Sequence, residues 1–294
     1  MSVHAERDQT AVSILDVLGA KGKRKLAVLT AYDFSGAVLA ERSGADVLLV
    51  GDSLGMVMLG RKDTMSVTLD EMIHHCRAVL QGSRRCLVIG DMPFMTYERG
   101  VDEALSSAAR LCREGGVRAV KLEGGRQVLP QVRALVEAGI PVCGHIGLLP
   151  QRAAALGGFK VQARTAESAY VLLQDALALQ EAGCFVLVME AVPAPVAARI
   201  TARLRIPTIG IGAGPDCDGQ VLVYHDVLGL YSEFVPKFVK QYLQGGELIG
   251  RALEQYVLEV GKGTFPGPEH SFSIKDEELK KLDQLLEGSP AASA

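Results

Sequence analysis

Short apolar runs rich in Val, Ile and Leu recur eight times along the chain, most of them separated by segments with helical periodicity. The runs are Leu26–Thr30, Val47–Val50, Cys86–Gly90, Ala119–Leu122, Val142–Gly144, Phe185–Met189, Thr208–Ile211 and Val221–Tyr224. Runs of this kind read as strands of a parallel sheet, buried on both faces. Helices are expected at Gly36–Ser43, Leu69–Leu80 behind Thr68, Asp102–Glu114, Val128–Ala138, Ala166–Ala182 and Pro195–Leu204. Four junctions share one punctuation: Ser43-Gly44-Ala45-Asp46, Glu114-Gly115-Gly116-Val117, Glu137-Ala138-Gly139-Ile140-Pro141 and Glu181-Ala182-Gly183-Cys184. In each a glycine caps a helix and a strand follows at once. Eight such strands predict a (β/α)8 TIM barrel, with an open doubly wound sheet as the alternative. The 294 residues and 48% hydrophobic content are enough for one barrel and its core.

Beyond the last strand, amphipathic helices are expected at Lys237–Gln244 and Leu248–Val260, closing the barrel or burying a subunit contact. Residues 1–264 then form a single catalytic domain. Residues 265–294 form a C-terminal extension, with a helix over Asp276–Leu286 and a frayed tail at Gly288–Ala294. The formal charge is −3 and Lys and Arg are scattered, so no nucleic-acid face stands out. No apolar run approaches the roughly 18 residues of a membrane span. Met1–Arg7 is polar, unlike a signal peptide. Cys76, Cys86, Cys112, Cys143, Cys184 and Cys217 show no CxxC pairing and read as reduced core residues of a cytoplasmic protein.

Four strands end on carboxylates: Asp52, Asp91, Glu123 and Glu190. An unpaired buried carboxylate is too costly to be core filler, and in parallel α/β folds chemistry gathers at the C-terminal strand ends. Asp52, Asp91 and Glu123 make an all-oxygen set suited to a hard cation such as Mg2+, although either Asp alone could cap a helix. Lys121 lies two residues before Glu123, so both side chains point into the barrel. Its partner is Glu123 itself or an anionic ligand; a Schiff-base role is less favoured beside so many acids. Glu190 ends an apolar strand, where a carboxylate makes a competent base, unless a barrel arginine pairs with it. His145 either polarises a carbonyl or hydrogen-bonds a loop. His74 and His75 are neighbours on a helix, diverge, and read as structural. Gly210-Ile211-Gly212-Ala213-Gly214 lacks a full dinucleotide fingerprint and reads as a close backbone approach to a ligand at the barrel rim.

Eight blocks in order carry a resemblance. They are Thr30-Ala31-Tyr32-Asp33, Val50-Gly51-Asp52-Ser53-Leu54-Gly55-Met56, Asp91-Met92-Pro93-Phe94-Met95, Val120-Lys121-Leu122-Glu123-Gly124-Gly125, Gly144-His145-Ile146-Gly147-Leu148, Glu190-Ala191-Val192-Pro193, Gly210-Ile211-Gly212-Ala213-Gly214 and Asp218-Gly219-Gln220-Val221-Leu222-Val223. Together they resemble the ketopantoate hydroxymethyltransferase family. The resemblance implies a barrel of the phosphoenolpyruvate mutase and isocitrate lyase type, Mg2+, 5,10-methylenetetrahydrofolate as one-carbon donor and a homodecamer. It also implies that Asp52 and Asp91 hold the metal with Glu123 completing the site, that Ser53 and Lys121, with those two aspartates, bind the 2-oxo acid, and that Glu190 accepts the proton. Arg61-Lys62-Asp63-Thr64-Met65-Ser66 departs from the family's usual Tyr-Asp-Ser-Thr-Leu-Pro-like stretch. The reaction so implied is Mg-assisted enolisation of 3-methyl-2-oxobutanoate followed by hydroxymethyl transfer. A Mg-dependent C–C lyase or mutase of the same superfamily is the alternative, but its Lys-Lys-Cys-Gly-His-like loop is absent from the sequence.

Overall fold

The computed structural model describes residues 10–153, 158, 160–231 and 235–288. The expectations for Met1–Arg7 and for the tail after Gly288 lie outside them. Eight parallel strands close on themselves: β1 (Leu26–Thr30), β2 (Val47–Val50), β3 (Leu87–Asp91), β4 (Ala119–Glu123), β5 (Val142–Gly147), β6 (Val186–Glu190), β7 (Thr208–Ile211) and β8 (Gly219–Leu222). The closing pair, β1 with β8, aligns Val28 with Val221. Strand β8 begins two residues earlier than its apolar run suggests and ends before Tyr224, which opens a short helix, Tyr224–Val227. The Tyr224 N–H donates to Thr30 Oγ1 at 2.9 Å, turning the chain away from the sheet.

Alternation within the strands divides two cores. Leu26, Val28, Val47, Leu49, Leu87, Ile89, Ala119, Cys143, Val186, Val188, Ile209 and Val221 fill the barrel, and Val17 and Ala20 join them from the helix Ile14–Gly19 and its C-cap. Leu48, Val50, Val88, Val120, Leu122, Val142, Leu187 and Met189 face outward into a second core with the surrounding helices. A strand that looks uniformly apolar therefore still alternates, one residue toward the barrel axis and the next toward a helix.

The helices sit where their caps and glycines place them. Thr68 and Glu71 form a reciprocal capping box at the start of Leu69–Gly82, and Thr165 with Ser168 caps Ala166–Glu181. The six cysteines are free and all but Cys112 are buried. No helix among the described residues is long and apolar enough to cross a membrane.

The described residues divide into two compact units between Leu243 and Gln244. The expected helix over Lys237–Gln244 does not form. Pro236 starts a turn in which Val239 N–H donates to its carbonyl, and Tyr242 N–H goes to Val227 O instead of a carbonyl one turn back. The second unit holds the helix Gly245–Lys262, ended by Gly263 in the left-handed region, and the helix Asp276–Glu287. Phe265 links the turn between them to Tyr256 and His270 through ring contacts of 5.7 and 5.0 Å.

Candidate active site

The inward alternation of β3 to β6 continues past the apolar plug and changes from hydrocarbon to charge. On β3, Leu87 and Ile89 are followed by Asp91; on β4, Ala119 by Lys121 and Glu123; on β5, Cys143 by His145; on β6, Val186 and Val188 by Glu190. Strand register sets Asp91 beside Lys121 and Glu123 beside His145. The result is a run of opposite charges: Lys121 Nζ lies 2.6 Å from Asp91 Oδ2 and 3.7 Å from Glu123 Oε1. His145 Nδ1 stands 3.4 Å from Glu123 Oε1, and its Nε2 stands 3.3 Å from Glu190 Oε2. Neither imidazole nitrogen meets hydrogen-bond geometry among the described residues, so these two approaches are charge proximity, not directed bonds. Glu190 thus faces a histidine and, among the described residues, pairs with no arginine.

Asp52 and Asp91 are not equivalent. Asp91 ends β3 and faces inward, whereas Asp52 lies two residues past β2 and meets it through the backbone, its N–H donating to Asp91 Oδ2 at 3.3 Å. Ser53, next in the chain, exchanges a 2.8 Å hydrogen bond with the buried Tyr32 hydroxyl. Gly147 brings the β5 end against β6: its φ is +95° and a Cβ there would lie 2.2 Å from Glu190 O. At Gly212 the close neighbour is a side chain of the same chain: the Phe238 ring occupies the space its Cβ would take.

Two residues of the site carry no signal in the sequence. Gln151, in the 3-10 turn Pro150–Arg152, donates through Nε2 to Asp52 Oδ2 at 2.9 Å and Met92 O at 3.0 Å. Its backbone N–H donates to Glu123 Oε2 at 3.1 Å, and its Oε1 accepts from Tyr97 Oη at 2.6 Å. Tyr97 in turn accepts from Glu123 N–H at 3.3 Å. Only the Gly-His-Ile-Gly-Leu block just before Pro150 hints that this loop carries function. His75 proves structural, its Nδ1 lying 2.6 Å from Tyr32 O.

Burial and mutual repulsion shape the charges. Burial raises the Asp52 pKa well above the usual carboxylate range and the Asp91 charge raises it further. Burial also raises Asp91, against the pull of Lys121. Burial works against the Lys121 ammonium, but Asp91, Glu123 and Asp52 outweigh it and hold its pKa above the ordinary value. Burial pushes Glu123 up, yet His145 and Lys121 hold it below the ordinary value. Burial and Lys121 disfavour the His145 cation, but Glu123 and Glu190 bring its pKa up to about 9.

Over this buried layer opens a cavity of about 300 Å³, lined by Asp52, Ser53 and Glu190 and by apolar residues including Met56, Leu148 and Ile211. A divalent cation suits the acids beneath it. Asp91 Oδ1 and Glu123 Oε1 are buried without a hydrogen-bond partner among the described residues, and Asp52 and Asp91 repel each other. No three His, Cys, Asp or Glu side chains among the described residues already converge as a metal-holding group. The donor set therefore fits a hard ion held by one or two carboxylates, with water and ligand oxygens filling the octahedron.

Residues 11–268 match the family described as ketopantoate hydroxymethyltransferase. The chain is 60% identical over 289 residues to the 3-methyl-2-oxobutanoate hydroxymethyltransferase of Oleidesulfovibrio alaskensis, covering 98% of this chain and 99% of that protein. It is 64% identical over 272 residues to the enzyme of the same name from Nitratidesulfovibrio vulgaris strain DP4, covering 92% and 89%. Among solved structures it resembles phosphoenolpyruvate phosphomutase from Streptomyces platensis subsp. rosaceus (TM-score 0.56, 16% identity, 95% and 98% covered). It is similarly close to 2,3-dimethylmalate lyase, a PEP mutase/isocitrate lyase superfamily member (TM-score 0.55, 16% identity, 94% and 100% covered). At such identities these two show the fold alone, a closed (β/α)8 barrel. With the family match spanning nearly the whole chain, this protein belongs to the ketopantoate hydroxymethyltransferase family.

Proposed function

We propose that this chain transfers a hydroxymethyl group from 5,10-methylenetetrahydrofolate to 3-methyl-2-oxobutanoate, giving 2-dehydropantoate, a step of pantothenate biosynthesis. The observation that carries the reading is the unbroken charge sequence Asp91–Lys121–Glu123–His145–Glu190, which ends on a carboxylate that lines the cavity. Asp52 and Asp91 would hold Mg2+, with Glu123 completing the anionic shell. An ion held by these carboxylates would supply Lewis acidity where negative charge develops on the substrate.

The residues divide the remaining work. Ser53 and Lys121, with the two aspartates, bind and orient the 2-oxo acid. Lys121 stays protonated among its acidic neighbours, so it serves as a cation for the substrate carboxylate and not as a nucleophile. Glu190 takes the C3 proton. One water cleaves both methylene C–N bonds, so that tetrahydrofolate leaves and the one-carbon unit is presented as formaldehyde. The C3 carbanion adds to its carbon while the aldehyde oxygen takes up the proton and becomes the hydroxyl. His145, its pKa brought up to about 9, stands 3.3 Å from Glu190 and faces it with positive charge. The partners are a small 2-oxo acid and a folate; the protein works as a homo-oligomer, a decamer by family resemblance, in the cytoplasm.

Deuterium exchange at C3 of 3-methyl-2-oxobutanoate, with Mg2+ and without folate, tests the base. The exchange is expected to fall about 10²- to 10⁴-fold in Glu190→Gln. Exchange at the wild-type rate would remove Glu190 from that role. Product formation with 5,10-methylenetetrahydrofolate tests the overall transfer, and its absence would return the lyase alternative.

A further inference from the structure

Two buried polar groups in the cavity are left over by this mechanism. Asp226 lies in the short helix Tyr224–Val227 that follows β8, is 8% exposed, and lines the same cavity as Asp52, Ser53 and Glu190. Its carboxylate has no hydrogen bond or ion pair among the described residues, and burial pushes its pKa up to about 6. Thr64 is 3% exposed and also lines the cavity, and its hydroxyl is buried without a partner among the described residues. The walls between them are apolar, with Val57, Val223 and Phe238 among them. Lys160 and Lys237 complete the lining; both are exposed, and neither has an ion pair among the described residues.

An unpartnered carboxylate in an apolar wall is costly to maintain, and its natural complement is a ligand edge with two adjacent N–H donors. A flat aromatic body fits the apolar walls, and an anionic end fits the lysines. One co-substrate of the reaction proposed above has all three parts: a 2-amino-4-oxo-tetrahydropteridine whose 2-amino group and N3–H form the donor edge, a flat aminobenzoyl ring and an anionic glutamyl tail.

We propose that Asp226 is the pteridine-recognition residue of this cavity, its carboxylate accepting from the 2-amino group and N3–H of the folate while Lys160 and Lys237 face the glutamyl carboxylates. The proposal rests on the folate-dependent reading. It gives the cavity two ends with different tasks: the Asp52, Asp91 and Lys121 layer for the 2-oxo acid, and Asp226 for the ring that carries the one-carbon unit. Thr64, from the stretch that departs from the family pattern, offers a hydroxyl to the same ligand. No proton or bond changes at Asp226; it binds and orients.

Equilibrium binding of tetrahydrofolate to the full chain is the primary measurement, alongside folate-free C3 exchange and the KM for 5,10-methylenetetrahydrofolate. In Asp226→Asn and Asp226→Ala, tetrahydrofolate binding is expected to weaken about 10- to 100-fold and the folate KM to rise with it. The exchange reaction, which needs no folate, reports that the 2-oxo acid end is still built. Asp226→Glu is expected to recover part of the binding. Lys160→Ala with Lys237→Ala is expected to weaken a triglutamyl folate more than the monoglutamate. Wild-type affinity for tetrahydrofolate in both Asp226 variants would overturn the assignment. So would a parallel loss of exchange, which would make Asp226 a structural group. If the wild-type chain exchanges no C3 proton, the enolisation reading fails, while tetrahydrofolate binding still decides the role of Asp226.

Discussion

Lys121 neutralises Asp91 at 2.6 Å and stands 3.7 Å from Glu123, both nearly inaccessible to solvent. Removing its charge leaves buried acids without their cation, and breaking a buried pair in this way costs about 3–5 kcal/mol. Lys121→Met is therefore expected to unfold at lower denaturant concentration than wild type, and added Mg2+ should restore part of the loss. A chemical denaturation series with and without Mg2+ reads both effects; a variant as stable as wild type would show that the acids are protonated or otherwise compensated. Gln151 acts differently, because it carries no charge. Gln151→Leu leaves Asp52 Oδ2 and Met92 O without its amide donors and Tyr97 without its acceptor. The expected result is a loss of about 1–3 kcal/mol and weaker Mg2+ binding by calorimetry. These two residues also mark how far a sequence can be read. Lys121 and Glu123 were legible because a strand's period of two puts them on one face and charges do not belong in a core. Gln151 was not, since a neutral amide in a 3-10 turn is indistinguishable from any loop residue until Asp52 and Glu123 are seen around it.

At the scale of elements, one side chain fixes the entry to β3. Glu41, near the end of the helix Phe34–Arg42, accepts through a single oxygen from Ser83 Oγ and from the N–H groups of Arg84, Arg85 and Cys86, at 2.6 to 3.1 Å. Burial pushes its pKa up, but these donors outweigh burial and hold it below the ordinary value. A carboxylate depressed in the folded state stabilises above its unfolded pKa, and that stability is lost as pH falls through the folded pKa. Glu41→Gln is thus expected to lower stability by about 1–2 kcal/mol at pH 7, with the difference shrinking as pH falls through the depressed folded pKa of Glu41. A pH series of urea midpoints checks the sign; a gap that widens in acid would contradict it. Most strands and long helices were readable, because apolar alternation, caps and C-cap glycines agreed with one another, whereas the short helices Ile14–Gly19, Leu54–Val57 and Tyr224–Val227 were not expected. The expected helix that does not form, Lys237–Gln244, has a helical pattern of apolar residues but no cap. There the hydrogen bond to Val227 O and the seat of Phe238 against Gly212 decide the conformation, and neither contact is local in sequence.

The whole molecule carries an imbalance within its second unit. On the helix Gly245–Lys262, Ile249, Leu253, Tyr256, Val257 and Val260 are 48–66% exposed, and their spacing of three and four places them along one face. Leu279, Leu282, Leu285 and Leu286 repeat the pattern on Asp276–Glu287. Isolated exposed leucines need no explanation, but two helices with continuous apolar stripes in one 31.3 kDa chain do. A second copy of the chain is the partner that the proposed homo-oligomer supplies, and burial of such side chains contributes about 1.5–3 kcal/mol each. The full chain is expected to sediment as a discrete multiple of its monomer mass at micromolar concentration. Leu253→Glu with Val257→Glu places two charges on the stripe without touching any residue that lines the catalytic cavity. That variant should shift toward smaller species while retaining folate-free C3 exchange, since every group proposed for proton transfer belongs to the barrel. A wild-type monomer, or a double variant that assembles normally, would mean that these stripes do not hold the copies together.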